Sequence, residues 1–196
     1  GWGYAVGDFP PGEKNFLKSL YVYWNLALAH RIAYKIIKAK YPNIQVGSAH
    51  QYQKATGEGW QGRIAAWLEL YYSNWWWLKK TKYNDFIGCN YYFADYRTKL
   101  NSVMADANPK QPLNDLGWYM EPSGIKWVLK EIYRRYPDTP IIVTENGVAD
   151  MHDSLRGWWL SETLMAMKKA IIAGVPLAGY LHWSLLDNFE WQYGWF

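Results

Sequence analysis

The sequence predicts an α/β fold built from parallel βαβ units, on three observations. Segments with apolar residues at helical spacing alternate along the chain with short apolar, β-branched runs. One run, Ile141 to Thr144, ends directly in Glu145, and Asn146-Gly147 then breaks the strand. Another, within residues 179–195, runs into Trp183, Asp187, Asn188, Glu190 and Trp191. A carboxylate at the tip of a buried strand is costly to place unless it is solvated, paired or used. In a parallel α/β barrel that tip is where catalytic groups sit. The plainer alternative is a strand-capping glutamate before a turn.

Taken in order, residues 1–15 read as a loop, because four glycines and Pro10-Pro11 oppose regular structure. Leu17, Leu20, Trp24, Leu28, Ile32 and Ile36 recur at three or four residues and predict a helix over 15–40, ended by Pro42-Asn43. Residues 44–49 predict a short strand with His50 at its end, a structural histidine by default and a substrate contact as the alternative. Residues 51–62 read as a polar loop. Residues 63–80 predict a helix with an aromatic face, Trp67, Tyr71, Trp75, Trp76 and Trp77, that packs on the barrel or covers its mouth. A strand follows over 85–92, then a loop over 97–113 containing Asn108-Pro109. Glu121, before Pro122, reads as a helix-start carboxylate for a helix over 125–136. After the Glu145 strand, residues 153–173 predict a helix with Leu160, Leu164, Met167 and Ile171 as its apolar stripe. Gly174-Val175-Pro176 stops it, and the last strand covers 177–184.

The 196 residues suit one domain with a sizeable core. The aromatic share of 19%, with 14 Trp and 17 Tyr, exceeds what a core needs and points to a carbohydrate cleft, an interface, or surface covered by further chain. The net charge of +4 is spread over helices such as those bearing Lys35, Lys38 and Lys168, so solvated faces are expected rather than a nucleic-acid site. Cys89 is the single cysteine; it has no partner for an internal disulfide, fits a reducing compartment, and sets a cytoplasmic expectation. No apolar run approaches 18 residues, so no membrane span is expected. Residues 1–4 carry no basic region leading into an apolar stretch, which is not a signal-peptide pattern. No Cys/His cluster or phosphate-cradling glycine loop occurs, so no metal and no organic cofactor are expected.

Both tip segments, Thr-Glu-Asn-Gly at 144–147 and Trp-Ser-Leu-Leu-Asp-Asn-Phe-Glu-Trp at 183–191, resemble the two C-terminal motifs of glycoside hydrolase family one, the retaining β-glucosidases and β-galactosidases. The loop at 1–15 and Asn90-Tyr91-Tyr92 resemble further family segments. The resemblance covers essentially the whole chain but only the second half of the family's (β/α)8 TIM barrel, strands five to eight. It implies Glu145 as nucleophile and Tyr92 as the phenol that hydrogen-bonds it, with Asn90 nearby. It implies Trp118 on the leaving-group side, Trp183 as a stacking platform, Glu190 binding two sugar hydroxyls and Trp191 a further one. The family's acid/base glutamate lies in an Asn-Glu-Pro segment, and none of the eight glutamates here stands in that context. The isolated chain is therefore expected to hydrolyse little. A half barrel would leave two strand edges and apolar interior open. That leaves three expectations: a piece of a longer chain, one part of a split barrel completed by another polypeptide, or two copies pairing their edges. The substrate implied is a β-linked glucoside or galactoside. A non-catalytic sugar-binding half barrel is the alternative.

Overall fold

The computed structural model describes residues 2–100, 105–108 and 110–195. Helix α1 (Phe16–Lys40) begins at Asn15, whose side-chain oxygen accepts from Lys18 N at 3.0 Å. That capping bond satisfies one of the four unpaired N–H groups of a helix start. Strands β1 (Gly47–Gln51), β3 (Phe86–Tyr91), β5 (Ile141–Asn146) and β6 (Leu177–Tyr180) form one sheet in that order, parallel throughout. Spatial order follows chain order, as in a stretch of parallel barrel, and the chain forms a partial TIM barrel. Helices α4 (Gly124–Arg135) and α5 (Arg156–Ile172) pack together on the outer face. The core lies between, with Ile87, Cys89, Tyr91, Ile141 and Val143 against Val128, Leu129, Ile132 and Trp159. The buried residues of α4, Ile125, Val128, Leu129 and Ile132, follow helical spacing.

Several sequence expectations need correcting. A π-helical turn occupies Trp2–Val6 within the predicted loop, and Gly7, at φ 88°, ends it. The first strand starts later than residue 44 because Ile44 N closes onto Tyr41 O and Val46 N is taken by Asp85 Oδ2 at 2.9 Å. The polar segment 51–62 contains strand β2 (Lys54–Gly57), which pairs in parallel with β4 (Ala94–Arg97) as a second, two-stranded sheet. Neither strand has an apolar run, so only their pairing defines them. The predicted 63–80 helix is a longer composite of α2 (Gly59–Leu70), a π-helical segment Tyr71–Trp76 and α3 (Trp77–Thr81). Of its aromatic face, Trp77 is buried and Trp75 packs against the core, while Trp67 and Tyr71 face outward. Of the predicted loop over 97–113, residues 101–104 and Pro109 lie outside the described residues.

The largest correction concerns α1. Its apolar stripe does not pack on this chain: Leu17 is 76% exposed and Ile36 64%, with Trp24, Leu28 and Ile32 also exposed. The helix attaches through a different stripe, Ser19, Tyr23, Ala27, His30, Tyr34 and Lys38. Ser19 Oγ meets Tyr72 Oη at 2.6 Å, Tyr34 Oη donates to Asp85 at 2.7 Å, and Lys38 Nζ donates to the same carboxylate at 2.9 Å. Tyr23 meets Tyr72, Trp76 and Trp77 ring to ring. Periodicity locates an apolar face but does not supply what covers it. In α5 the buried face is Trp159, Thr163, Ala166, Met167 and Ala170, while Leu164 and Ile171 of the predicted stripe are exposed. Apolar residues lie on more than one side of that helix, and the face that packs is the one bearing Trp159 and Met167 with Thr163, Ala166 and Ala170 between them. No helix of the described residues is long and apolar enough to cross a membrane.

Candidate active site

Regular alternation in β3 buries Ile87, Cys89 and Tyr91 toward the helices and turns Gly88 and Asn90 toward the barrel interior. Tyr92 follows on the interior side, half-buried. Strand β5 starts the same way, with Ile141 and Val143 fully buried on the helix side. Continued alternation would send Glu145 into that core. The register prevents this: Cys89 pairs with Val143 and Asn90 with Glu145, leaving Thr144 as an extra residue. A bulge of this kind reverses the facing of everything beyond it. Asn146 is accordingly buried, and Glu145 turns to the interior.

There Glu145 Oε2 accepts a hydrogen bond of 2.6 Å from Tyr92 Oη. Burial first, and the hydrogen bond to Glu145 second, push the Tyr92 phenol well above its ordinary range, so it stays a donor. Trp118 meets the Tyr92 ring edge-on at 6.2 Å and packs on Phe93 at 5.2 Å. Asn90 Oδ1 accepts from Thr144 Oγ1 at 2.6 Å. Glu190 stands close enough for its carboxyl to be raised, by burial first and by the Glu145 charge second, and its charge also reaches Tyr92. Trp183 is tied down by its backbone, N–H to Asn146 O at 2.9 Å, with its side chain 45% exposed. Trp191 follows Glu190 directly and stacks on Phe9 at 5.7 Å.

The sequence reading treated Asn146 only as a strand breaker. Asn146 is a fully buried hub: Nδ2 donates to Tyr91 O at 2.6 Å, and Oδ1 accepts from Trp159 Nε1 and Tyr180 Oη, both at 3.2 Å. Tyr180 Oη also lies 2.9 Å from His182 Nδ1. The available signal was a polar residue still within the strand, one position beyond Glu145. His50 is structural: its Nε2 lies 2.5 Å from Ser73 O and its ring stacks on Trp77 at 5.3 Å. Glu121 pairs with Lys54 and Gln111 rather than with a helical N–H. Among the described residues no group of three or more His, Cys, Asp or Glu is placed to hold a metal ion.

An interior-facing carboxylate held by a phenol, with a second carboxylate and indole rings around it, is suited to binding polar rings and attacking an electrophilic carbon. The beta-galactosidase of Sulfolobus acidocaldarius is 30% identical over 225 aligned positions, which cover 99% of this chain and 45% of that protein. Beta-glucosidase A of Thermotoga maritima is 38% identical over 126 residues, 56% of this chain and 27% of the relative. The chain thus spans about half the length, or less, of the curated relatives it matches. In three dimensions it matches the crystal structure of Fpglu1 from Fervidobacterium pennivoraus with a TM-score of 0.85 at 32% identity, over 95% of this chain and 44% of that one. It also matches the fold of a Thermotoga maritima beta-glucosidase bound to castanospermine, at a TM-score of 0.88 and 24% identity over 98% of this chain and 53% of that one. The model of glycosyl hydrolase family 1 matches residues 77–196, more than half of the chain, and the segment holds Tyr92, Trp118, Glu145, Trp183 and Glu190. On sequence, fold and site together, the chain belongs to glycosyl hydrolase family 1.

Proposed function

We propose that this chain carries the nucleophile side of a retaining β-glycosidase acting on β-glucosides or β-galactosides. Glu145 attacks the anomeric carbon and forms a glycosyl-enzyme, the first of the two displacements of retaining hydrolysis. Tyr92 holds the attacking carboxylate in place. Asn90, Glu190 and Trp191 bind sugar hydroxyls, Trp183 stacks under the ring, and Trp118 borders the leaving group. The observation that carries this reading is the 2.6 Å bond between Tyr92 Oη and Glu145 Oε2 at the tips of neighbouring strands. The name of the Sulfolobus relative, a beta-galactosidase, and of the Thermotoga relatives, beta-glucosidases, supports the substrate class.

The acid/base carboxylate comes from outside this sequence. Glu13 pairs with Lys18, Glu58 with Tyr96, Glu69 with Arg97, Glu121 with Lys54 and Glu131 with Arg134 and Arg135, and Glu162 lies on helix α5. Glu190 is beside Glu145 and is assigned to the sugar. The isolated chain should therefore form a glycosyl-enzyme only from substrates whose leaving group needs no protonation. Incubation with an activated 2-deoxy-2-fluoro-β-glucoside should add one sugar mass, mapped by peptide sequencing to Glu145, while a plain aryl β-glucoside is hydrolysed little or not at all. An adduct on another residue, or none, refutes the nucleophile assignment; glucose binding without any adduct would favour a non-catalytic sugar-binding module. A cytoplasmic setting for this single domain is part of the proposal; the free, fully buried Cys89 is compatible with it.

The open faces call for completion of the barrel, by further length of the same polypeptide, by another polypeptide or by a second copy; the last two are a second reading. The α1 stripe from Leu17 to Ile36 is exposed, and β1 and β6 each have one unpaired edge in the sheet. Such edges and faces drive association. Native mass spectrometry of the purified chain should give a dimer or a stable complex, and a well-behaved monomer refutes this second reading.

A further inference from the structure

The bulge that turns Glu145 into the barrel has a latch. Thr144 is the unpaired residue, between the Cys89–Val143 and Asn90–Glu145 pairs. Its side chain points to the interior, where a Cβ placed on Gly88 would come within 3.0 Å of Thr144 Oγ1, so glycine there leaves the hydroxyl its room. Thr144 Oγ1 then donates to Asn90 Oδ1 at 2.6 Å, across to the residue that pairs with Glu145. The bond joins the bulged residue to the neighbouring strand at the step where facing reverses. It also occupies the amide's acceptor. Asn90 Nδ2 has no hydrogen-bond partner among the described residues, and it lies on the interior side with Tyr92 and Glu145.

We infer that Thr144 is a positioning residue: its hydroxyl locks the β5 bulge to Asn90, which holds Glu145 against Tyr92 and leaves the Asn90 amide to present donors, not an acceptor, to a bound sugar. The inference rests on the proposed role of Glu145 for its functional consequence and on register and hydrogen bonding for its structural one. Without the hydroxyl, an apolar side chain of the same shape faces the Asn90 carbonyl oxygen. The amide is then free to turn, and β5 can slip back to regular alternation, which would aim Glu145 at the core.

The test uses the whole chain and two readouts. The first is the hydroxyl proton resonance of Tyr92 bonded to Glu145, assigned by its loss in Tyr92→Phe. The second is the rate of Glu145 labelling by the activated 2-deoxy-2-fluoro-β-glucoside. Thr144→Val should lose the resonance and label about tenfold to a hundredfold more slowly, the penalty expected for a reacting group misplaced by about 1 Å. Thr144→Ser, which keeps the hydroxyl, should restore both. Thr144→Val with the resonance and the rate of the parent overturns the inference, as does Thr144→Ser behaving like valine. If Thr144→Val does not fold, Asn90→Ala removes the latch from its other side and must also lose the resonance; retention overturns the inference. Should the parent chain not be labelled at all, the nucleophile assignment fails, while the resonance still decides the latch.

Discussion

The carbonyl oxygen of Trp183 occupies the space that a side chain at Gly147 would need: a Cβ built on Gly147 falls 1.8 Å from it. The neighbouring Asn146 O accepts the Trp183 N–H at 2.9 Å. Two consecutive residues after Glu145 therefore fix where the Trp183 segment crosses the sheet. Gly147→Ala must push that segment away. The expected cost is about 1–3 kcal/mol of stability, with sugar binding weakened more than the melting temperature alone implies. Thermal unfolding together with glucose titration calorimetry checks both effects.

Tyr92→Phe keeps the ring against Trp118 and removes the donor to Glu145. A hydrogen bond to a charged group is worth about 1.5–3 kcal/mol. Labelling of Glu145 should slow by about tenfold to a hundredfold. The rate of adduct formation measured by mass spectrometry in parent and variant checks this, and an unchanged rate contradicts the assigned role.

Asn146→Ala would leave Tyr91 O and Trp159 Nε1 without their Asn146 partner, while Tyr180 Oη keeps His182 Nδ1. Each buried group left unpaired costs about 1–3 kcal/mol, so denaturant unfolding should show one of the larger losses of any single change in this chain. A loss under about 1 kcal/mol would mean the hub is not maintained in solution.

Burial lowers His50 from 6.5 to about 4. The unfolded chain takes up this proton as the pH falls below about 6.5, and the folded chain does not until about 4. Stability from this group is therefore full above pH 6.5 and is lost steadily between there and pH 4. Melting temperatures of the parent and of His50→Gln across that range should converge toward acid pH. Parallel curves would refute a neutral, buried His50.

Polar substitutions on the outer stripe of α1 should behave as surface changes. Ile32→Lys and Ile36→Glu should each shift stability by no more than about 0.5 kcal/mol, because both side chains are more than half exposed. They should also abolish any self-association or capture of a completing chain, read by sedimentation velocity. A large loss of stability in the monomer would mean that the helix packs differently.

Much of the fold was legible because local chemistry agrees with it. Asn15 caps α1, and β5 and α4 fall where apolar spacing placed them. The Glu145 tip and the partnership with Tyr92 were legible from motif resemblance and were met by geometry. The β2–β4 sheet was not legible, since Lys54 to Gly57 has no apolar pattern and is a strand only by pairing with Ala94 to Arg97. The buried face of α5 was legible only at Met167, because apolar residues lie on more than one side of that helix and give periodicity little contrast.

The order of residues by itself determined where the long helices and the four strands of the main sheet lie, and which side chains arrive at the strand tips. Backbone propensity, capping and turn residues act over a few positions, so they can be read from neighbours alone. Only the tertiary structure decided which way those side chains face. A single residue of register at Thr144, fixed by a neighbouring strand more than fifty positions away, directs Glu145 to the barrel interior instead of the core. Facing in a strand alternates with every residue, so one inserted position reverses it, and that insertion exists only as a relation between two strands.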